Sequence, residues 1–180
     1  MELEEIIMRV QRGESQYYTY IIKRYEQKVF ITAKRLVKNH TTAEDLVQDS
    51  FIKGFYSLHK YKNTGSFNAW LYRIVVNNCF DYLRKAKLQF TQTEAETTDH
   101  SSPEKIVLLH ERNEQLEQLL GQLNELDYTV LLLKYVNGLS YDEISEVLDI
   151  SLNDVRNKLH RSKKQLKTMA NKKGGYFYEM

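Results

Sequence analysis

Residues 138–167 read GLSYDEISEVLDISLNDVRNKLHRSKKQLK, and the spacing within them decides the C-terminal half of the chain. Gly138 follows Asn137 and can take the left-handed conformation that ends a helix. Ser140 stands three residues before Glu143, and Ser151 three before Asp154. At that spacing a hydroxyl and a carboxylate satisfy the free N–H groups of a helix start. The spacing predicts two short-range helix starts, the first helix ending near Asp149. Ile144, Val147, Leu148 and Ile150 form a short apolar stripe, and Leu152, Val155, Leu159 and Leu166 one face of the second helix. The other faces carry Asn153, Arg156, Asn157, His160, Arg161, Lys163 and Lys164. A short helix, a tight turn and a second helix with outward amide and guanidinium groups is the helix-turn-helix design. Asn and Arg can each make bidentate hydrogen bonds to base edges, and Lys contacts phosphate.

The plainer reading is a helical hairpin with a solvated basic face. Charge distribution weighs against it. Acids far outnumber bases from Glu104 to Asp154, yet Val155 to Tyr178 contains no Asp or Glu. That stretch holds Arg156, Lys158, Arg161, Lys163, Lys164, Lys167, Lys172 and Lys173. A solvated helix normally mixes signs to gain pairs four residues apart.

One proline, seven glycines and little β-type alternation in 180 residues predict an all-α protein. The single Cys79 excludes an internal disulfide and fits a reducing cytosol. Met1–Val10 does not resemble a signal peptide, and no run is long enough to span a bilayer. The net charge of +2 hides acidic and basic segments that nearly cancel.

Along the chain, Leu3, Ile6, Ile7 and Val10 share a helical face that Gly13 stops. Ser15 opens a long periodic segment to about Lys38. Thr42 with Asp45 has capping-box spacing and starts a third helix, with Leu46, Val47, Phe51, Phe55 and Leu58 as its stripe and Asp45, Gln48, Asp49 and Lys53 opposite. HKYKNTGS at 59–66 reads as a loop. In FNAWLYRIVVNNCFDYLRKAK, Phe67, Trp70, Leu71, Ile74, Val75 and Leu83 can pack inward. Tyr72, Arg73, Val76, Asn77, Asn78, Tyr82 and Arg84 spread over the remaining surface. Aromatics interleaved with Arg, Lys and Asn suit a single-strand nucleic-acid surface. An aromatic stripe at helical spacing suits a core equally, and the residues alone leave both open. QFTQTEAETTDHSSP at 89–103 is polar, holds the sole proline and marks a flexible linker. The predicted organisation is two small helical domains: 1–87, a linker over 88–104, a four-helix unit over 105–170 and a tail over 171–180.

These words, in this order, resemble the extracytoplasmic-function branch of bacterial RNA polymerase sigma factors. AEDLVQDSF at 43–51 is similar to that family's polymerase-clamp-binding helix, and FNAWLYRIVVNNCFDYLRK at 67–85 to its −10 element helix. GLSYDEISEVLDIS followed by VRNKLHRSKKQL is similar to its −35 reader. The family commonly has glycine where Asp149 stands, and a Gly-Thr pair where Asn153-Asp154 stands. The resemblance implies that Asp45, Gln48, Asp49, Phe51 and Lys53 face the clamp helices of the largest polymerase subunits. Tyr61, Lys62, Asn63, Trp70, Arg73, Asn77, Asn78 and Arg84 would take the opened −10 strand. Ser151, Asn153, Arg156, Asn157, His160, Arg161 and Lys164 would enter the −35 major groove. It further implies a cytoplasmic protein whose partners are polymerase core, promoter DNA and an anti-sigma factor, often membrane-anchored.

A conventional helix-turn-helix operator binder would explain 138–167 but gives the N-terminal half no task. A pure protein-interaction module leaves the acid-free stretch after Val155 unexplained. An enzyme is disfavoured: His40, His59, His100, His110 and His160 are scattered without metal-ligand spacing, and there is no Gly-rich phosphate loop. Cys79 in an apolar helix reads as a small buried side chain. No cofactor, metal or small-molecule substrate is expected.

Overall fold

The computed structural model describes residues 1–62, 65–92 and 116–172. The elements are α1 (Leu3–Gln11), a 3₁₀ turn (Ser15–Tyr17), α2 (Tyr18–Val37), α3 (His40–Ser57), a second 3₁₀ turn (Leu58–Lys60) and α4 (Phe67–Gln92). A helical segment over 116–120 then leads to α5 (Glu125–Tyr135), α6 (Tyr141–Leu148) and α7 (Leu152–Lys172). Among the described residues there is no strand. Asn63, the linker beyond Gln92, the first residues of the four-helix unit expected over 105–170 and the tail from 173 lie outside the described residues.

Periodicity builds α2: Ile21, Tyr25, Val29, Ala33 and Leu36 recur every three or four residues and are all buried. Lys38 ends the helix in the left-handed region at φ +56°, its N–H donating to the Lys34 carbonyl. The start of α3 departs from the Thr42–Asp45 spacing. Asn39 comes first, its side chain accepting from the Thr42 N–H at 2.9 Å, so the helix begins at His40. An Asn N-cap is as good as a hydroxyl, and here it binds the Thr42 N–H, about one turn before the Asp45 N–H that a Thr42 cap would have taken. Where α3 crosses α2, a Cβ on Gly54 would lie 2.7 Å from the Tyr18 hydroxyl. That hydroxyl donates to the Phe51 carbonyl at 2.7 Å, so only glycine leaves room for the tie.

α4 runs on to Gln92, past the domain end expected at 87. It is also buried on more sides than its strongest stripe indicates. Tyr72, Val76 and Asn78, expected on the surface, are 3%, 0% and 6% exposed. Asn78 lies in helical register with Leu71 and Val75, and its amide donates to Ser50 Oγ at 2.7 Å while accepting from Lys53 Nζ at 2.5 Å. Tyr72 is covered from the other side, by Asn137 of the second domain.

The C-terminal helices close on Val130, Leu133, Leu139, Ile144, Val147, Val155 and Leu159, all buried. Gly138 turns the chain after α5 at φ +71°, with the Leu139 N–H donating to the Leu133 carbonyl at 3.1 Å. Asp149 ends α6 at φ +53°. Asp is among the few non-glycine residues that adopt this region readily, so the turn survives the substitution. The two domains share one continuous apolar core running from Ile6 to Leu159. Asn137 Nδ2 crosses between them, donating to Thr32 Oγ1 at 2.8 Å and Tyr72 Oη at 2.9 Å.

Candidate nucleic-acid interface

α7 begins on a capped turn. The Asp154 N–H donates to Ser151 Oγ at 3.0 Å, and that hydroxyl donates back to Asp154 Oδ2 at 2.6 Å. Val155, Leu159 and Ser162 face the core, leaving Asn153, Arg156, Asn157, His160, Arg161 and Lys164 exposed along the opposite side. Spacings of three and four bring these six onto one face, with Ser151 exposed at its start.

Beneath that face lies a carboxylate that the sequence reading missed. Asp127, 1% exposed, is the third residue of α5 and accepts from Lys158 Nζ at 3.2 Å and from Arg161 Nη2 at 3.3 and 3.1 Å. Asn124 caps the same helix: its Oδ1 accepts the Asp127 N–H at 2.8 Å, and its Nδ2 donates to Asp127 Oδ2 at 2.9 Å. Burial pushes the Asp127 pKa up, but Asn124, Lys158 and Arg161 together outweigh it and hold the carboxyl below its ordinary value. The Asn-x-x-Asp spacing at 124–127 is a cap signal that was available in the sequence.

The loop before α4 is held from several directions. Gln11 Nε2 donates to the carbonyls of Leu58 at 2.9 Å and Tyr61 at 2.8 Å. Tyr61 Oη donates to the Gly65 carbonyl at 2.8 Å, and its ring packs 5.5 Å from Phe67 and 5.4 Å from Trp70. Tyr61 is therefore buried and Trp70 half-buried, in an aromatic cluster. Lys62, Arg73, Asn77 and Arg84 are exposed, the last paired with Asp81. Asn78 is internal, tying α4 to α3.

The start of α4 is covered by the start of α6. The Ser66 hydroxyl bonds Glu143 Oε1, while Glu143 Oε2 accepts from the Ser140 N–H at 2.7 Å. The Glu143 N–H in turn donates to Ser140 Oγ at 3.1 Å, completing the capping box. One carboxylate thus faces two helix N-termini, where the aligned peptide dipoles favour negative charge. Burial raises the Glu143 pKa, but bonds from Ser66, Ser140 and Asn68 prevail and keep it below its usual value.

On α3, Asp45, Gln48, Asp49 and Lys53 are exposed, whereas Phe51 is 6% exposed and belongs to the core. Beside them an apolar groove opens between α2 and α3, lined by Ile22, Phe30, Val47, Phe51, Ile52 and Tyr56. Ile52 is 47% and Tyr56 71% exposed. The sequence reading passed over both; their signal is the four-residue step from Gln48 to Ile52 to Tyr56, which continues the polar face as an apolar one. Cys79 is fully buried and its thiol pushed up to about 12 by desolvation, which removes it as a nucleophile. No helix of the described residues is long and apolar enough to cross a membrane.

Residues 21–89 match the family described as Sigma-70 region 2, and residues 113–166 match Sigma-70, region 4. The chain is 29% identical over 179 residues to the ECF RNA polymerase sigma factor SigW of Bacillus subtilis, covering 93% of this chain and 96% of that protein. It is 29% identical over 175 residues to the RNA polymerase sigma-H factor of Pseudomonas aeruginosa, covering 91% of each. Its fold is similar to CnrH solved with the cytosolic domain of CnrY: TM-score 0.70, 21% identity, 92% of this chain and 95% of that one. It is also similar to RpoE of Bartonella quintana solved with the anti-sigma factor NepR: TM-score 0.68, 18% identity, 86% and 96%. With both regions present in order, on a chain that spans nearly the whole of these relatives, the protein is a member of the sigma-70 family and an RNA polymerase sigma factor of the extracytoplasmic-function type.

Proposed function

We propose that α7 reads the −35 duplex of this sigma factor's promoters, through Ser151, Asn153, Arg156, Asn157, His160, Arg161 and Lys164. The observation that carries this reading is the single exposed face formed by these residues opposite Val155, Leu159 and Ser162. A helix presenting amides and guanidinium groups along one side fits the major groove, where Asn and Arg discriminate base pairs by paired hydrogen bonds. Lys164 adds a phosphate contact. On α4 and its preceding loop, Lys62, Asn63, Arg73, Asn77 and Arg84 contact the opened −10 strand. Tyr61 and Trp70 shape the floor of that site, and Asn78 acts from inside by fixing α4 on α3. Extruding a base costs a few kcal/mol of stacking, which the loop and its neighbours must offset.

Core polymerase docks on α3: Asp45, Gln48, Asp49 and Lys53 meet the clamp helices, with Phe51 supporting the groove and Ile52 and Tyr56 supplying exposed apolar contact. The protein acts in the cytoplasm, and an anti-sigma factor, membrane-anchored in many systems of this kind, is its regulatory partner. No catalysis is asked of the chain; the energy of melting comes from binding opened strands and from the polymerase. Run-off transcription with purified core on host genomic fragments tests the assignment. Discrete new transcripts sharing two upstream elements are expected. Duplex binding by the protein alone, without core-dependent initiation, would instead make it an operator-binding regulator.

A further inference from the structure

We propose that Asp127 is a positioning residue for promoter recognition: it fixes Arg161 on the reading face of α7 and restrains the attraction of that face for DNA in general. The inference rests on the −35 assignment of α7 given above and extends it to a residue on a different helix. Asp127 is 1% exposed, so it can touch no base itself, whereas the Arg161 side chain is 64% exposed. The carboxylate engages that side chain through Nη2 alone, at 3.3 and 3.1 Å. Nε and Nη1 of Arg161 have no partner among the described residues and remain as donors. An exposed arginine otherwise samples many rotamers, all of which must collapse to one when it forks onto a base. Anchoring one nitrogen removes much of that search before DNA arrives.

The anchor is itself fixed. Asn124 holds Asp127 by its backbone N–H and by Oδ2 of its carboxylate, and Lys158, 19% exposed, binds the other oxygen, Oδ1. The site therefore sets one negative charge against two positive ones on a face meant for a polyanion. Removing that charge should move two properties in opposite directions. Attraction to any phosphate backbone should rise, because Lys158 and Arg161 lose their neutralising partner. Discrimination between base pairs should fall, because the guanidinium loses its fixed direction.

The test uses the full chain bound to core polymerase and a duplex pool randomised over one helical turn at the −35 position, sequenced before and after capture. Wild type is expected to enrich a defined sequence. Asp127→Asn should lower that enrichment about tenfold. It should also raise capture of unselected duplex and steepen the slope of log affinity against log salt by about 1. Arg161→Lys keeps the charge without the fork, and Asp127→Asn combined with it should discriminate no worse than Arg161→Lys alone. Equal enrichment by wild type and Asp127→Asn overturns the inference. So does a proportional weakening on selected and unselected duplex, which is what a purely structural role predicts. If Asp127→Asn fails to fold, Asp127→Glu keeps the charge and shifts the anchor by one methylene; unchanged enrichment in that variant also overturns it. A wild-type protein that enriches no sequence would remove the −35 assignment itself, a different result from any of these.

Discussion

Asp127 and Glu143 occupy equivalent places on neighbouring helices and do different work. Each is the third residue of its helix, with a polar N-cap three positions earlier, Asn124 and Ser140 respectively. Asp127 is buried and answers to two cations within its own domain. Glu143 is half-buried and answers to hydroxyl, amide and backbone N–H groups, two of them, Ser66 and Asn68, on the other domain. A buried carboxylate is costly to separate from its cations, because without them it is left as an uncompensated ion, even though Arg161 itself is largely exposed. Hydrogen bonds from neutral groups at a partly wet boundary exchange with water at little net cost. The strong tie thus lies where the helix-turn-helix must stay intact, and the exchangeable tie where the two domains meet.

The largest effect that would sharpen this contrast is expected from Asp127→Ala. It should lower stability by about 2 kcal/mol, less than for a fully buried pair because Arg161 is 64% exposed. That corresponds to a fall in Tm of roughly 4–8 °C for a chain of this size. Fluorophores on cysteines introduced at the exposed Lys28 and Gln165 should report an unchanged distance between domains; a lengthened one would break the claim that this tie is internal.

Asn137→Ala should do the reverse. It removes the one amide from which the Thr32 and Tyr72 hydroxyls both accept, leaving Thr32 only its bond to the Lys28 carbonyl, at about 1–2 kcal/mol while the domains stay together. The same fluorophore pair should then lengthen, and a distance identical to wild type would mean that apolar contact alone holds the interface. Glu143→Ala removes a capping box as well as the Ser66 bond and should cost about 1 kcal/mol, with a smaller shift in distance.

Acid offers a comparison without mutation. Both carboxyls are held below their ordinary values, so the folded state takes up these protons less readily than the unfolded chain does. Their contribution is complete above the unfolded-state values, near pH 4, and is lost as pH falls through the lower folded-state values. For Asp127 the groups that set this balance are Asn124, Lys158 and Arg161. Asp127→Asn should flatten the acid limb of a stability-against-pH curve, and an unchanged limb would show that the pairing contributes nothing. The smallest effect is expected at Ser162 on α7, whose hydroxyl is fully buried with no hydrogen-bond partner among the described residues. Ser162→Ala should stabilise by up to about 1 kcal/mol, since it removes an unsatisfied group and only a small volume. A loss of stability would reveal a partner for that hydroxyl.

Much of this molecule was settled by local chemistry. The Ser140–Glu143 box, the Ser151 cap, the glycine turn at Gly138 and the chain reversal at Asp149 each follow from residues within one or two turns of one another, and they appear where the spacing places them. The outward face of α7 follows as well, because its single buried stripe leaves no second neighbour to cover the opposite side. α4 shows where such reasoning stops. Periodicity reports the strongest apolar face of a helix, but α4 meets α3 on one side and the second domain on another. Asn78 and Tyr72 are polar or amphipathic residues that become internal only because Ser50, Lys53 and Asn137 arrive to satisfy them. The pairing of Asp127 with Lys158 and Arg161, more than thirty residues further along, has the same origin. Sequence fixes which residues can cap, turn or bury within one helix; which buried polar group meets which partner depends on how separate helices are brought together, and only the tertiary structure decides that.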